Sequence, residues 1–257
     1  MTIDLKRDGA VGIIVMDAPP VNAYDVDMLR AMQEAIQEAR RDDGIRCLVI
    51  KSAIEKFFSA GADIKTLQDS SAAEFANLLT VAHETTLMLE NTPKIVIAAI
   101  AGHALGGGLE LALACDFRYA GAGGYRLGLV EISLGLNPAM GGTQRLARLI
   151  GRSRALHMIV TGETVDPATA LDRGIVNRLF PADEFDDGVM AFATTLAAGP
   201  TLAQGLAKLS INKGLEASLA EGLTIERAHQ NILFKSEDAA EGVAAFVAKR
   251  KPAYKGR

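Results

Sequence analysis

The chain has no tryptophan, and only four tyrosines and nine phenylalanines among its 257 residues. It has no excess of positive charge either: 27 Lys and Arg stand against 31 Asp and Glu, a formal charge of -4. Nucleic-acid binding calls for a basic stripe with interleaved aromatics, and both parts of that pattern are missing. An anionic ligand must be met by local basic residues. The two cysteines, Cys47 and Cys115, lie in apolar stretches and form no CxxC pair, which argues against metal and redox roles and for buried thiols in a reducing compartment. The four histidines, His83, His103, His157 and His229, include no pair at ligand spacing, so no metal is expected. The dinucleotide spacing GxGxxG, the phosphate loop GxxxxGK[ST] and the nucleophile elbow GxSxG are all absent. The first apolar run, Val11 to Met16, is too short for a signal peptide or a membrane span, and the expectation is a soluble, cytoplasmic protein.

What is present is apolar bulk. Hydrophobic residues make up 49% of the chain, which fits a well-buried globular protein. The length suits one sizeable core with a small appended unit. Strand signals at Gly12–Met16, Ile45–Ile50, Lys94–Ala101, Phe117–Ala120 and Ile175–Phe180 alternate with helical ones. Asp25 is the expected cap of a helix with an apolar stripe at Val26, Leu29, Met32 and Ile36, ended by Gly44. Leu109–Ala114 reads as a short buried helix, and Thr143–Ile150 as a helix closed by Gly151. Asp166-Pro167 opens another. Beyond Gly199-Pro200 only helical spacing remains, over Thr201–Asn212, Ser218–Phe234 and Glu237–Lys249, with Ser236 a candidate cap. The expectation is an α/β core over residues 1–198 followed by a helical region over 199–257, whose apolar faces need the core or a partner subunit to cover them.

Three segments carry chemistry. Phe58-Ser59-Ala60-Gly61-Ala62-Asp63-Ile64 places small residues where backbone N–H groups can approach a ligand, although an ordinary tight turn would look alike. Gly102-His103-Ala104-Leu105-Gly106-Gly107-Gly108-Leu109-Glu110 puts three glycines between a strand and a helix. They serve either close helix-on-strand packing or a helix N-terminus aimed at a developing anion. Leu129-Val130-Glu131-Ile132 leads into Gly135-Leu136-Asn137-Pro138-Ala139-Met140-Gly141-Gly142-Thr143-Gln144-Arg145-Leu146. Glu110 and Glu131 both sit among apolar residues, where a carboxylate must be paired, face a cleft, or have a raised pKa.

Together the motifs FSAGADI, GGGLELALACD and GGTQRL, in this order, resemble the enoyl-CoA hydratase/isomerase (crotonase) family. The resemblance runs almost end to end, from Asp17-Ala18-Pro19-Pro20-Val21-Asn22-Ala23 to Ala245-Phe246-Val247-Ala248-Lys249-Arg250-Lys251. It implies a spiral of ββα units followed by a helical trimerisation region, and a homotrimer or a dimer of trimers. It implies an acyl-CoA thioester substrate, and no cofactor beyond the coenzyme A moiety of that substrate. It implies an oxyanion hole made by the backbone N–H groups of Ala62 and Gly107, and Glu110 and Glu131 as the acid/base pair of a hydratase. Coenzyme A contacts are implied at Lys56, Ala60, Asp63, Ile64 and Lys65, at Gly106, Pro138 and Gly141, and at Phe246 and Lys249, whose reach is to the nucleotide of the same or a neighbouring subunit. The acyl pocket is expected between the Leu67–Leu79 region and Met140. His103, beside the glycine loop, is expected to order it or to pack at its mouth.

The chain also departs from the family pattern. Ala139 replaces a common Gly, Leu129-Val130 replace a polar residue and Pro, and the loop Gly121–Tyr125 is one residue longer, leaving Glu131 21 positions after Glu110. These changes bear on substrate range and on the exact reaction. Hydration of a trans-2-enoyl-CoA is the leading expectation. A Δ3-Δ2 enoyl-CoA isomerase or another reaction of the family, and a binding paralogue without turnover, are the alternatives.

Overall fold

The computed structural model describes residues 2–257. It begins with an antiparallel hairpin, β1 (Thr2–Asp8) and β2 (Val11–Asp17). After the two prolines come β3 (Ala23–Tyr24) and α1 (Val26–Arg41). The Asp25 side chain caps α1 by accepting the Met28 N–H at 2.8 Å. Met28, Leu29, Met32, Ala35, Ile36 and Ala39 are its buried stripe. The helix stops before Gly44, because Asp42 is already extended and its side chain takes the Gly44 N–H at 2.8 Å. The Ile45 N–H turns back onto Asp42 O, so β4 (Cys47–Ser52) starts two residues later than the apolar run suggests.

The middle of the chain builds the site. It runs through β5 (Phe57–Ser59), β6 (Gly61–Ala62), α2 (Ile64–Asp69), α3 (Ala72–Glu90), β7 (Ile95–Ile100), β8 (His103–Leu105) and α4 (Gly107–Leu113). A reciprocal cap starts α3: Ser71 Oγ accepts the Glu74 N–H at 3.3 Å and the Glu74 carboxylate accepts the Ser71 N–H at 2.8 Å. Then follow β9 (Phe117–Gly121), β10 (Leu127–Gly128), a 3-10 turn over Glu131–Leu134, α5 (Gly142–Ile150), α6 (Arg152–Thr161), β11 (Thr164–Val165), α7 (Pro167–Asp172), β12 (Arg178–Phe180) and α8 (Phe185–Ala197). The strand expected from Ile175 is short, since the N–H groups of Ile175 and Val176 both return to Ala170 O.

Six strands form the main sheet in the order β1-β2-β4-β7-β9-β12, parallel except for the first hairpin. Every residue of central β7 is buried, as a parallel strand covered on both faces requires. Side chains alternate between two cores with the period of two that a strand imposes. Val96, Ala98 and Ile100 join Leu48, Ile50, Ile14 and Met16 on one face; Ile95, Ile97 and Ala99 join Cys47, Val49 and Val11 on the other. Phe185, Val189, Ala193 and Ala197 of α8 cover that second face. A smaller sheet, β11-β10-β8-β5, and the pair β3-β6 hold the segments around α4.

From Thr201 onward the chain is helical: α9 (Thr201–Gly214), α10 (Leu219–Leu233) and α11 (Glu237–Val247), the last capped by Ser236. Lys208 of α9 reaches into the core to pair with Asp116 at 2.7 Å. Leu215, Leu219, Phe234, Val243 and Phe246 remain exposed, so the apolar faces expected of this region are left uncovered within one chain. Among the described residues no helix is long and apolar enough to cross a membrane.

Candidate active site

Helix α4 is short and wholly buried, and Glu110 is its one acidic residue. Glu110 is only 2% exposed, yet its carboxylate is not orphaned. Its Oε1 accepts the N–H of Met140 at 2.8 Å and that of Gly142 at 2.6 Å, both from the turn that opens α5. Burial raises the Glu110 pKa, and these two N–H groups and the nearby Arg145 guanidinium oppose the rise. Arg145 is itself clamped: its guanidinium donates to both oxygens of Glu90, at 2.7 and 3.0 Å, and to Met140 O at 2.8 Å.

Glu131 enters the same cavity from the 3-10 turn after β10. Its surroundings are different. Its Oε2 is buried with no hydrogen-bond partner. Burial, with a further contribution from the charge of Glu110, pushes its pKa up to about 7. The carboxylate leans over Gly106, where a Cβ would stand 2.9 Å from Oε1. Gly106 also has φ of 52°, a conformation that L side chains rarely adopt, so two separate constraints select glycine at the start of α4.

The cavity holding the two carboxylates encloses about 100 Å³. Ala60, Ala62, Ile64, Gly106 and Gly107 line it with Glu110 and Glu131, so the structure brings these seven expected residues together. Leu67, Phe75, Leu78, Leu79 and Met140 form its apolar wall, in the region expected for an acyl group. Segment β6 lies close to α4, since a Cβ on Gly61 would approach Gly107 N to 2.9 Å. Lys56, Asp63, Lys65, Pro138, Gly141, Phe246 and Lys249 are not in the lining. Asp63 instead caps α2, accepting the N–H groups of Lys65 and Thr66 at 2.8 and 3.1 Å. Phe246 projects from α11 and is 85% exposed. His103 orders its loop: its Nδ1 accepts the Arg126 N–H at 3.0 Å and its ring packs 5.0 Å from that of Phe57.

A larger cleft of about 590 Å³ lies between α9 and the sheet. Lys208 is paired there with Asp116 and Arg145 with Glu90, while Arg118 and Arg148 donate to carbonyl and amide oxygens of their own surroundings. Each cavity has one buried oxygen without a partner, Gln204 Oε1 in the larger and Glu131 Oε2 in the smaller, but only the latter belongs to a titratable group. A carboxyl group of raised pKa beside a second carboxylate in an apolar enclosure makes the smaller cavity the candidate active site. Among the described residues no group of three or more His, Cys, Asp or Glu could hold a metal ion.

The family model for enoyl-CoA hydratase/isomerase matches residues 6–257. The chain belongs to the enoyl-CoA hydratase/isomerase family. It is 40% identical over 257 residues to a probable enoyl-CoA hydratase of Mycobacterium bovis, covering 100% of this chain and 98% of that one. Among solved structures, an enoyl-CoA hydratase of Geobacillus kaustophilus HTA426 superimposes with a TM-score of 0.96 at 41% identity, covering 98% of this chain and 96% of its own. An enoyl-CoA hydratase of Bacillus anthracis gives 0.95 at 34% identity with 100% of both chains covered. The crotonase fold expected from the motifs is therefore the fold of this enoyl-CoA hydratase/isomerase family member.

Sequence reading did not single out Tyr24, which lines the cavity, or the N–H groups of Met140 and Gly142. Backbone donors leave no mark in residue type. A lone tyrosine in a two-residue strand has no periodicity to betray it.

Proposed function

We propose that this chain is a hydro-lyase adding water across the 2,3 double bond of a trans-2-enoyl-CoA to give the 3-hydroxyacyl-CoA. The observation that carries the reading is the unlike environment of two carboxyl groups in one cavity. Glu110 accepts two fixed N–H bonds, which favour its charged form; Glu131 accepts none at Oε2 and is pushed up to about 7. Two carboxyl groups can divide acid and base roles only when their surroundings separate them.

In this scheme Glu110 takes a proton from water, and the water oxygen bonds to C3. The π electrons move toward C2 and the thioester, placing negative charge on the thioester oxygen. The N–H groups of Ala62 and Gly107 hold that charge, each donor contributing roughly 10²–10³ in rate in comparable sites. Collapse of the enolate takes a proton onto C2 from Glu131. The proton gained by Glu110 then passes to Glu131 through solvent, and the net change is the addition of one water. The apolar wall of Leu67, Phe75, Leu78 and Leu79, around so small an enclosed volume, suits a short acyl group.

Lys56 and Lys65 are proposed to meet the phosphates of coenzyme A, and backbone near Ala60 and Asp63 its adenine. Phe246 and Lys249 are proposed to reach the nucleotide from their own or a neighbouring subunit. The uncovered apolar residues of α9–α11 support a homo-oligomer, a trimer or a dimer of trimers. In one second reading, Δ3-Δ2 isomerisation, Glu110 alone moves the proton and Glu131, whose Oε2 is held by nothing, is incidental. Glu131→Gln separates the two: loss of hydration with survival of isomerisation would install the isomerase, and loss of both supports the hydratase. Tight binding of enoyl-CoA with no product would point to sequestration instead.

A further inference from the structure

Tyr24 occupies β3, in register with Ala62 of β6, and its carbonyl accepts the Asp63 N–H at 2.9 Å. This pairing fixes the tyrosine beside one wall of the site. The residue is 8% exposed and lines the cavity with Glu110, Glu131, Ala62 and Gly107. Its phenol lies directly against Gly107: a Cβ there would overlap the hydroxyl and stand 2.6 Å from ring carbons Cε1 and Cζ.

A buried phenol ordinarily finds a hydrogen-bond partner. Tyr125 does, with its hydroxyl 2.7 Å from both Ile100 O and Gly121 O. The Tyr24 hydroxyl has no such partner among the described residues, and burial and the two neighbouring glutamates, not a hydrogen bond, govern its acidity. All three push its pKa upward, which keeps it a neutral O–H donor at any working pH. The donor therefore faces a cavity in which no protein group accepts it.

We propose that Tyr24 is a further catalytic residue, whose hydroxyl donates to the thioester oxygen of the bound acyl-CoA beside the N–H of Gly107. The proposal rests on the acyl-thioester reading of the site. A side-chain donor aimed at that oxygen strengthens as the enolate forms, and so acts on turnover more than on binding. It would also make this oxyanion site testable by an isosteric side-chain change, which two backbone donors alone do not allow.

The test is Tyr24→Phe beside the parent, with two readouts. The first is the absorbance of bound 2,4-hexadienoyl-CoA, whose conjugated chromophore shifts to longer wavelength when its carbonyl is polarised. The second is turnover of crotonyl-CoA, with butyryl-CoA binding as the ground-state control. The expected result is a smaller red shift and a kcat lowered about ten- to hundredfold, with the butyryl-CoA Kd changed less than about twofold. An unchanged red shift would overturn the proposal, as would a loss confined to butyryl-CoA binding. A parent that turns over no crotonyl-CoA, together with a red shift that shrinks in Tyr24→Phe, would uphold the donor and reject hydration.

Discussion

Glu110 Oε1 accepts the N–H of Gly142 at 2.6 Å, and this contact joins the helix carrying one carboxylate to the first residue of α5. The Met140 N–H adds a second bond to the same oxygen. A buried carboxylate held this way has its orientation set by backbone, while Glu131, across the cavity, is held at Oε2 by nothing.

That asymmetry gives a stability prediction. The folded-state pKa of Glu131 is raised to about 7, so between about 4.3, the ordinary unfolded value, and 7 the folded chain binds more protons than the unfolded one. The contribution of Glu131 is then most favourable below about 4.3 and is lost as pH rises through 7. Glu131→Gln removes the titration. Its thermal midpoint, measured by calorimetry from pH 5 to 8, is expected to gain on the parent as pH rises; a constant difference would contradict the raised pKa.

The motif 106–110 was legible because both of its demands are written in residue type. Glycine at 106 answers a positive φ and the approach of Glu131, and glutamate at 110 is a charge in an apolar run. The sheet was legible from β-branched runs such as Ile95–Ile100. Element ends were less so, since Ile175 and Val176 are apolar but spend their N–H groups on Ala170 O. Helix α3 carries its start signal in Ser71 and Glu74, yet apolar residues extend nearly around it and blur the stripe. The grip on Glu110 was illegible, because Met140 and Gly142 act through backbone.

Arg145 supports that grip from behind, through Met140 O and Glu90. Arg145→Gln is expected to raise the Glu110 pKa and so move the acidic limb of the kcat/KM profile upward, with kcat reduced about tenfold. Arg145→Lys, which keeps the charge but not the fork, is expected to recover most of the limb's position and less of the rate. Limbs that stay put in both variants would show that Arg145 only packs.

Gly107 cannot take a side chain without moving Tyr24. Gly107→Ala is expected to lower kcat about a hundredfold or more by displacing the phenol and the first turn of α4. Circular dichroism and the dissociation constant for free coenzyme A are expected to hold, since the nucleotide contacts are proposed to lie elsewhere. Full activity in Gly107→Ala would mean that this turn is not where the thioester oxygen sits.

Lys208 and Asp116 form the best-buried ion pair, with side chains 3% and 15% exposed. Lys208 also donates to Leu89 O and Lys94 O, which ties α9 to the core. Lys208→Met leaves Asp116 uncompensated and is expected to cost about 3–5 kcal/mol in urea unfolding. Adding Asp116→Asn is expected to restore much of that loss. A single-variant cost below about 1 kcal/mol would show that the pair contributes little.

Both carboxyl groups of one cavity are proposed to act in adding water to an enoyl thioester. The direct measurement is loss of the conjugated thioester absorbance of crotonyl-CoA with the parent, Glu110→Gln and Glu131→Gln side by side. Rapid loss in the parent, reduced about 10²–10⁴-fold in each variant, is the predicted result. A parent that binds crotonyl-CoA without consuming it, or a variant that hydrates it as fast as the parent, would overturn the two-carboxyl mechanism.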